Sequence, residues 1–313
     1  MSRVKIKSLS NSTILQLRFL HPRFWFTWVG LALIFVIIHF PHPWRLWCGS
    51  ILGKMGYYFA LDRKNIVDIN LSICFPELSE TDRKKLNKKV FRSAGLSIIE
   101  TALVWLRSPI TFRNLAKIEG LEHLETALKQ DKGVVLVGMH FSTLDFCAAI
   151  LSSYCKFDVM YRGNKNPLIE AIMNRGRVKN FSNAIERKDV RSVIKSLKQG
   201  RAVWYGPDQD YGRAHSVFVP FFGYPTATIS ATSRIAGINK SPVIIFTHYR
   251  LQGDSRYRIC LSKPLDNFPS KDPVLDASRI NGEVEKAIKK APEQYWWLHR
   301  RFKTPPKGKN RPY

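Results

Sequence analysis

"VVLVGMHFSTLDF", residues 134–146, runs as an apolar stretch into His140 and resumes as a helix start carrying Asp145. A histidine and a carboxylate five positions apart are about 140° out of phase within one continuous helix and cannot face each other there. With His140 before the helix and Asp145 in its first turn, the chain reversal can bring the two side chains together. Asp145 would then fix one imidazole tautomer and leave the other nitrogen as a general base. The same residues also fit a core histidine and a capping acid, because Ser142-x-x-Asp145 has capping-box spacing.

Three other stretches carry groups able to do chemistry. "YGPDQDYGR" (205–213) puts Asp208 and Asp210 between two glycines at a strand exit, which equally describes a polar turn. "YRGNKNP" (161–167) brings Arg162 out of a strand beside Lys165, or is an exposed basic loop. "APEQYWWLHRRFKTPP" (291–306) joins aromatics to His299, Arg300, Arg301 and Lys303, suited to an interface or a phosphate grip. No G-x-S-x-G elbow, HExxH pair, P-loop or G-x-G-x-x-G occurs, so no metal, nucleotide or other cofactor is expected.

The elements that must hold these residues alternate. "GVVLVGM" (133–139), "FDVMY" (157–161), "AVWYG" (202–206), "PVIIFTHY" (242–249) and "RYRICLS" (256–262) read as short strands bounded by turn residues. Helical stretches are predicted over 143–154, 167–178, 188–199, 227–236 and 275–290. This alternation predicts an α/β fold, a mixed sheet flanked by helices, with chemistry at the carboxyl ends of strands. Residues 45–110 read as a helical front.

Phe24 to Trp44 contains no Lys, Arg, Asp or Glu, and tryptophans stand at both ends. Its apolar part, roughly 17 residues or about 25 Å as a helix, predicts an N-terminal membrane anchor near the lower limit for spanning. A re-entrant or interfacial segment stays open. The chain therefore divides into 1–48, with an anchor at about 24–44, and a catalytic domain over 49–313.

Fifty Lys and Arg against 24 Asp and Glu give a net charge of +26, which calls for an anionic partner. Nucleic acid, an acidic membrane and an acidic protein or phosphorylated substrate all satisfy that demand. Cys48, Cys74, Cys147, Cys155 and Cys260 are scattered and odd in number, which suits a reducing compartment.

Together, the anchor, "NIVDINLSICFPELSETDR" (65–83), "HFSTLD" (140–145), "YRGNKNPLIEAIMNRGR" (161–177), "AVWYGPDQDYG" (202–212) and "APEQYWWLHRRFKT" (291–304) resemble the lipid A late acyltransferases of Gram-negative outer-membrane biogenesis. That family lies within the wider H-x(4)-D/E group that includes the glycerol-phosphate acyltransferases. "GPDQDYG" departs from the Pro-Glu-Gly-Thr-type block of the latter, and the tail resembles the enzymes that add the first late acyl chain.

The resemblance implies a glycerol-phosphate-acyltransferase-like fold and a bacterial inner-membrane enzyme with its catalytic domain at the cytoplasmic face. It would transfer an acyl chain from acyl carrier protein to a 3-hydroxyl on Kdo2–lipid IVA. His140 would be the base, Asp145 its orienter and Arg162 an oxyanion donor. Arg300, Arg301 and Lys303 would meet acceptor phosphates, Arg175 and Arg177 the carrier protein, and Asp208 and Asp210 would belong to the site. The competing expectations are another lipid acceptor, a catalytically dead scaffold, or a membrane-tethered nucleic-acid binder.

Overall fold

The structure, a computed structural model, describes residues 16–251 and 256–313. Residues 1–15 of the predicted N-terminal segment lie outside the described residues.

The front of the chain is helical: α1 (Trp25–Ile37), α2 (His42–Phe59), α3 (Leu61–Cys74) and α4 (Glu80–Leu106). Ser79 caps α4 by accepting the Asp82 backbone N–H at 3.1 Å. Helices α2 and α4 meet backbone to backbone, and a Cβ on Gly95 would lie 2.3 Å from the Gly53 nitrogen. There follow β1 (Ala116–Glu119), α5 (Leu121–Leu128), β2 (Val134–Val137), α6 (Leu144–Ser152), β3 (Asp158–Tyr161), α7 (Pro167–Asn180), β4 (Ala184–Glu186), α8 (Val190–Lys198) and β5 (Ala202–Tyr205). A hairpin of β6 (Ser216–Phe221) and β7 (Tyr224–Ile229) leads to α9 (Ala231–Asn239), β8 (Val243–Arg250), β9 (Tyr257–Leu261) and α10 (Pro273–Lys290).

Seven strands form one sheet in the order β1-β9-β8-β2-β5-β3-β4, parallel except for β8 against β9. This is the mixed α/β fold with flanking helices that the strand–helix alternation predicts. The central strands are buried on both faces, which explains why "VVLV" and "AVWY" read as unbroken apolar runs. Val135 and Val137 face the core with Val193, Ile235 and Ile280. Val134 and Leu136 face the opposite core with Phe146, Ile150 and Leu103.

Strands β1 and β4 and the β6–β7 hairpin lie outside the strands expected from the sequence, and 227–236, expected as helix, is helical only from Ala231. Residues 227–229 instead complete β7, where Thr228 pairs with Val217. Short strands whose partners are distant leave little periodicity to read.

The predicted spanning anchor is not formed. Helix α1 has 13 residues, about 20 Å, against a hydrocarbon core of about 30 Å. Among the described residues no helix is long and apolar enough to cross a membrane. Pro41 and Pro43 explain the difference. The apolar window runs across them, but the helical ladder stops at Ile38 and restarts at His42. Arg45 then folds back towards the end of α1, its guanidinium 3.5 Å from the Ile38 carbonyl. Helix α2 runs through residues 48 and 49, where the sequence reading divides the chain.

Candidate active site

The register of the sheet builds the site. Strands β2 and β5 are parallel neighbours with Val137 opposite Tyr205. His140 stands three residues beyond the first and Asp208 three residues beyond the second, so the two chains deliver them side by side. Asp208 Oδ1 lies 2.6 Å from His140 Nδ1, and its Oδ2 accepts the His140 backbone N–H at 2.8 Å. One carboxylate thus fixes both the ring and the peptide that carries it. Gly206 makes the approach possible, since a Cβ there would stand 2.7 Å from His140 Cε1.

The expectation that Asp145 orients the imidazole needs correction: the group hydrogen-bonded to the ring is Asp208. Asp145 opens α6 and accepts from Thr101 Oγ1 at 3.2 Å. It is close enough for its charge to act on His140, but no hydrogen bond joins the two among the described residues. Ser142 does not cap α6; Thr143 precedes the helix and makes no side-chain cap there.

Electrostatics follow the geometry. Burial alone would depress His140, but the Asp208 charge and hydrogen bond, with Asp145 behind them, outweigh it and hold the imidazole above its usual value. Burial pushes the Asp208 carboxyl up, and the His140 contacts outweigh that and bring it below the usual range. Asp145 faces a cavity but is surrounded by protein, and this desolvation raises it despite Arg177, Thr101 and His140.

The tail segment 294–296 clamps the His140 turn. In the tail, Trp296 N–H donates to the His140 carbonyl at 2.8 Å and Ser142 N–H donates to the Gln294 carbonyl at 2.7 Å. Tyr295 pairs with Phe141 in an antiparallel bridge and donates its hydroxyl to the Asp208 carbonyl at 3.1 Å. Beneath the turn, Thr143 Oγ1 is 2.7 Å from Nδ1 of His248, which is fully buried and pushed down to about 3 by desolvation. Thr143, His248 and Gln294 carried no local signal of this role, because each acts through a contact more than 100 positions away in sequence.

His140, Ser142 and Asp145 line a cavity of about 920 Å³ whose other walls are mostly apolar, with Ser97, Thr101, Asn164 and Gln209 the polar exceptions. Leu31 and Phe35 of α1, Ile98 and Trp105 of α4, and Ile172 and Met173 of α7 face it. A long, narrow hydrocarbon is the chemistry that such walls accept.

The remaining sequence-predicted residues divide. Arg162 is exposed beyond β3 and has no hydrogen bond or ion pair to His140 among the described residues, nor does it line the cavity. Arg175, Arg300 and Lys303 are exposed. Arg177 is engaged: its guanidinium lies 3.3 Å from Glu170 and 4.2 Å from the centre of the Tyr161 ring. Arg301 is 2 % exposed and donates to the Ala227 carbonyl at 2.8 Å, so it buttresses the hairpin rather than facing solvent. Asp210 accepts from Thr304 N–H at 2.8 Å and Thr304 Oγ1 at 2.9 Å, tying the loop after β5 to the tail. Among the described residues no group of three or more His, Cys, Asp or Glu side chains is placed to hold a metal ion.

A base held by a carboxylate at a parallel-strand exit, opening on an apolar cavity, is equipped to deprotonate a hydroxyl beside a bound acyl chain. Comparison with known proteins shows the family. The chain is 39% identical to the lipid A biosynthesis lauroyltransferase of Escherichia coli (strain K12), over 92% of its own length and 95% of the relative. It is 36% identical to the palmitoleoyltransferase of the same strain, over 94% and 96%, and 30% identical to the myristoyltransferase, over 94% and 92%. Residues 13–304 match the family profile described as bacterial lipid A biosynthesis acyltransferase, and this chain is a member of that family of acyltransferases.

Proposed function

We propose that the protein transfers a fatty acyl chain from an acyl carrier protein thioester to the 3-hydroxyl of an acyl chain on Kdo2–lipid IVA, at the cytoplasmic face of the bacterial inner membrane. The observation that carries this reading is His140, hydrogen-bonded to Asp208, on the wall of the 920 Å³ mostly apolar cavity. Asp208 accepts a hydrogen bond from Nδ1–H, which leaves Nε2 as the unprotonated nitrogen. Nε2 takes the proton of the attacking hydroxyl, assistance worth roughly 10²–10⁴-fold. The thioester carbon is attacked, the carbon–sulfur bond breaks, and the thiolate recovers the proton from the imidazolium. Asp145, on the same wall, adds negative charge that favours the imidazolium formed in this step.

The net charge of +26 suits a carrier protein and a phosphorylated lipid that are both anionic. Arg175 on α7 is an exposed cation for the carrier protein, and Arg300 and Lys303 are exposed cations for acceptor phosphates. Membrane attachment would be interfacial. Phe26 (91 %), Phe59 (80 %), Trp44 and Trp47 on α1 and α2 are exposed apolar side chains of the kind that sink into a headgroup layer.

Incubation of the purified protein with acyl carrier protein thioesters and Kdo2–lipid IVA should add the mass of one acyl chain to the lipid. His140→Ala should abolish the gain. An unchanged lipid mass with every common acyl donor, beside a working control enzyme, would remove this reading. The higher identity to the lauroyl and palmitoleoyl enzymes than to the myristoyl enzyme supports action at the first late acylation.

A further inference from the structure

Under the His140 turn lies a buried polar chain that the general-base mechanism does not use. Arg250, at the end of β8, makes a bidentate ion pair with Glu100 of α4, Nε to Oε1 at 2.7 Å and Nη2 to Oε2 at 2.6 Å. Tyr257 donates to the same carboxylate at 2.6 Å. The remaining Arg250 nitrogen, Nη1, donates to Ser93 Oγ at 3.1 Å, and Ser93 Oγ is 2.9 Å from Ser142 Oγ. Glu100, Ser93 and Ser142 are all buried, at 3 %, 4 % and 6 % exposure.

The direction of this chain follows from its first member. A guanidinium only donates, so Ser93 must accept from Arg250. Among the described residues Ser142 Oγ is the other hydrogen-bond partner of the Ser93 hydroxyl, and either oxygen of that pair can donate; with Ser93 buried, the arrangement that strands no proton in the interior sends the Ser93 proton to Ser142. Ser142 then accepts, and its own proton has no protein acceptor among the described residues. Ser142 lines the acyl cavity, two residues from His140. Its backbone is fixed by the Gln294 carbonyl. A hydroxyl on the cavity lining, backed by a part-buried guanidinium, is what a developing oxyanion needs.

We infer that the Ser142 hydroxyl is the oxyanion donor of the acyl transfer, with Ser93 and Arg250 as positioning residues that turn its proton into the cavity. The inference rests on the acyl-transfer reading above. As the acceptor oxygen bonds to the thioester carbon, the carbonyl electron pair moves onto oxygen and is met by the Ser142 O–H. The acceptor proton passes to His140 Nε2. Collapse restores the carbonyl, breaks the carbon–sulfur bond and returns that proton to the departing sulfur, giving ester and thiol.

Two readouts on the full chain test this. In steady-state acyl transfer, Ser142→Ala should lower kcat by about 100-fold with KM little changed, the low end for loss of one oxyanion donor. Ser93→Ala, which leaves the cavity wall intact, should lower kcat by about tenfold. Independently of turnover, infrared difference spectra with carbonyl-labelled lauroyl-pantetheine thioester should show a carbonyl band at lower frequency in the parent protein than in Ser142→Ala. Ser93→Ala should fall between them. Equal kcat in parent and Ser142→Ala, or the same carbonyl band in both, would overturn the assignment. A parent protein that shifts the band but acylates no Kdo2–lipid IVA would instead refute the choice of acceptor.

Discussion

Replacing Asp208 with asparagine tests the site at its centre. The two carboxylate oxygens of Asp208 do different jobs: one meets the His140 ring at 2.6 Å, the other accepts the His140 backbone N–H at 2.8 Å. Asparagine has one acceptor oxygen and one donor nitrogen. If its oxygen keeps the backbone N–H, its NH2 faces Nδ1, which must become an acceptor, and the ring proton moves to Nε2. That nitrogen can no longer take a proton from the acceptor hydroxyl. If its oxygen keeps the ring, two donors meet at the backbone and leave a buried N–H unsatisfied, costing about 1–3 kcal/mol. The first arrangement is therefore favoured, and it is the wrong tautomer for catalysis.

The expected loss in kcat is about 10²–10⁴-fold, or roughly 2.7–5.4 kcal/mol of transition-state stabilisation. The charge that holds the imidazole up is also lost, so the residual activity should extend to lower pH than in the parent. Mass-spectrometric acyl transfer across about pH 5–9, with a thermal melt to confirm folding, measures both effects. Retention of more than about a tenth of kcat with an unmoved acid limb would refute Asp208 as the partner that sets the tautomer.

Five further outcomes follow from the structure. Because His140 sits above its usual value, kcat/KM should rise with pH through a point above 6.5 as the base is freed; a limb below 6.5 would contradict the Asp208 pairing. The pair's contribution to stability has the opposite sense at each end: the depressed Asp208 loses it as pH falls through its folded value, and the raised His140 loses it as pH rises through its own, so His140→Ala should flatten both ends of a melting-temperature profile. Glu100→Gln leaves the part-buried Arg250 guanidinium without its buried counter-charge and should destabilise the fold by about 3–5 kcal/mol in chemical denaturation, whereas a loss under about 1 kcal/mol would mean that the pair is solvated. Ile172→Phe should shift donor preference towards shorter acyl chains, each excluded methylene being worth about 0.8 kcal/mol, and Phe26→Asp combined with Phe59→Asp should reduce sedimentation with anionic vesicles.

Much of this protein is written locally. The apolar runs at 134–137 and 202–205, the turn residues after them and the helical spacing between them follow from side-chain volume and backbone propensity within a few residues. They place His140 and Asp208 at strand exits without any knowledge of the sheet. The strong positive charge and the apolar window before Trp44 are likewise properties of composition.

What the sequence could not decide was pairing. His140 is five residues from Asp145 and 68 from Asp208, and proximity in sequence favours the first. The parallel register of β2 on β5 brings the second to 2.6 Å. The same limit applies to the tail, where Arg301 reads as a phosphate ligand but is buried under the β6–β7 hairpin that the sequence did not signal. It applies to the window from Phe24 to Trp44, where hydropathy is continuous but Pro41 and Pro43 interrupt the backbone ladder. Composition and periodicity depend on neighbouring residues and survive in the sequence. Which carboxylate meets the base, and which arginine meets water, depends on strand order and helix packing, and only the tertiary structure holds that information.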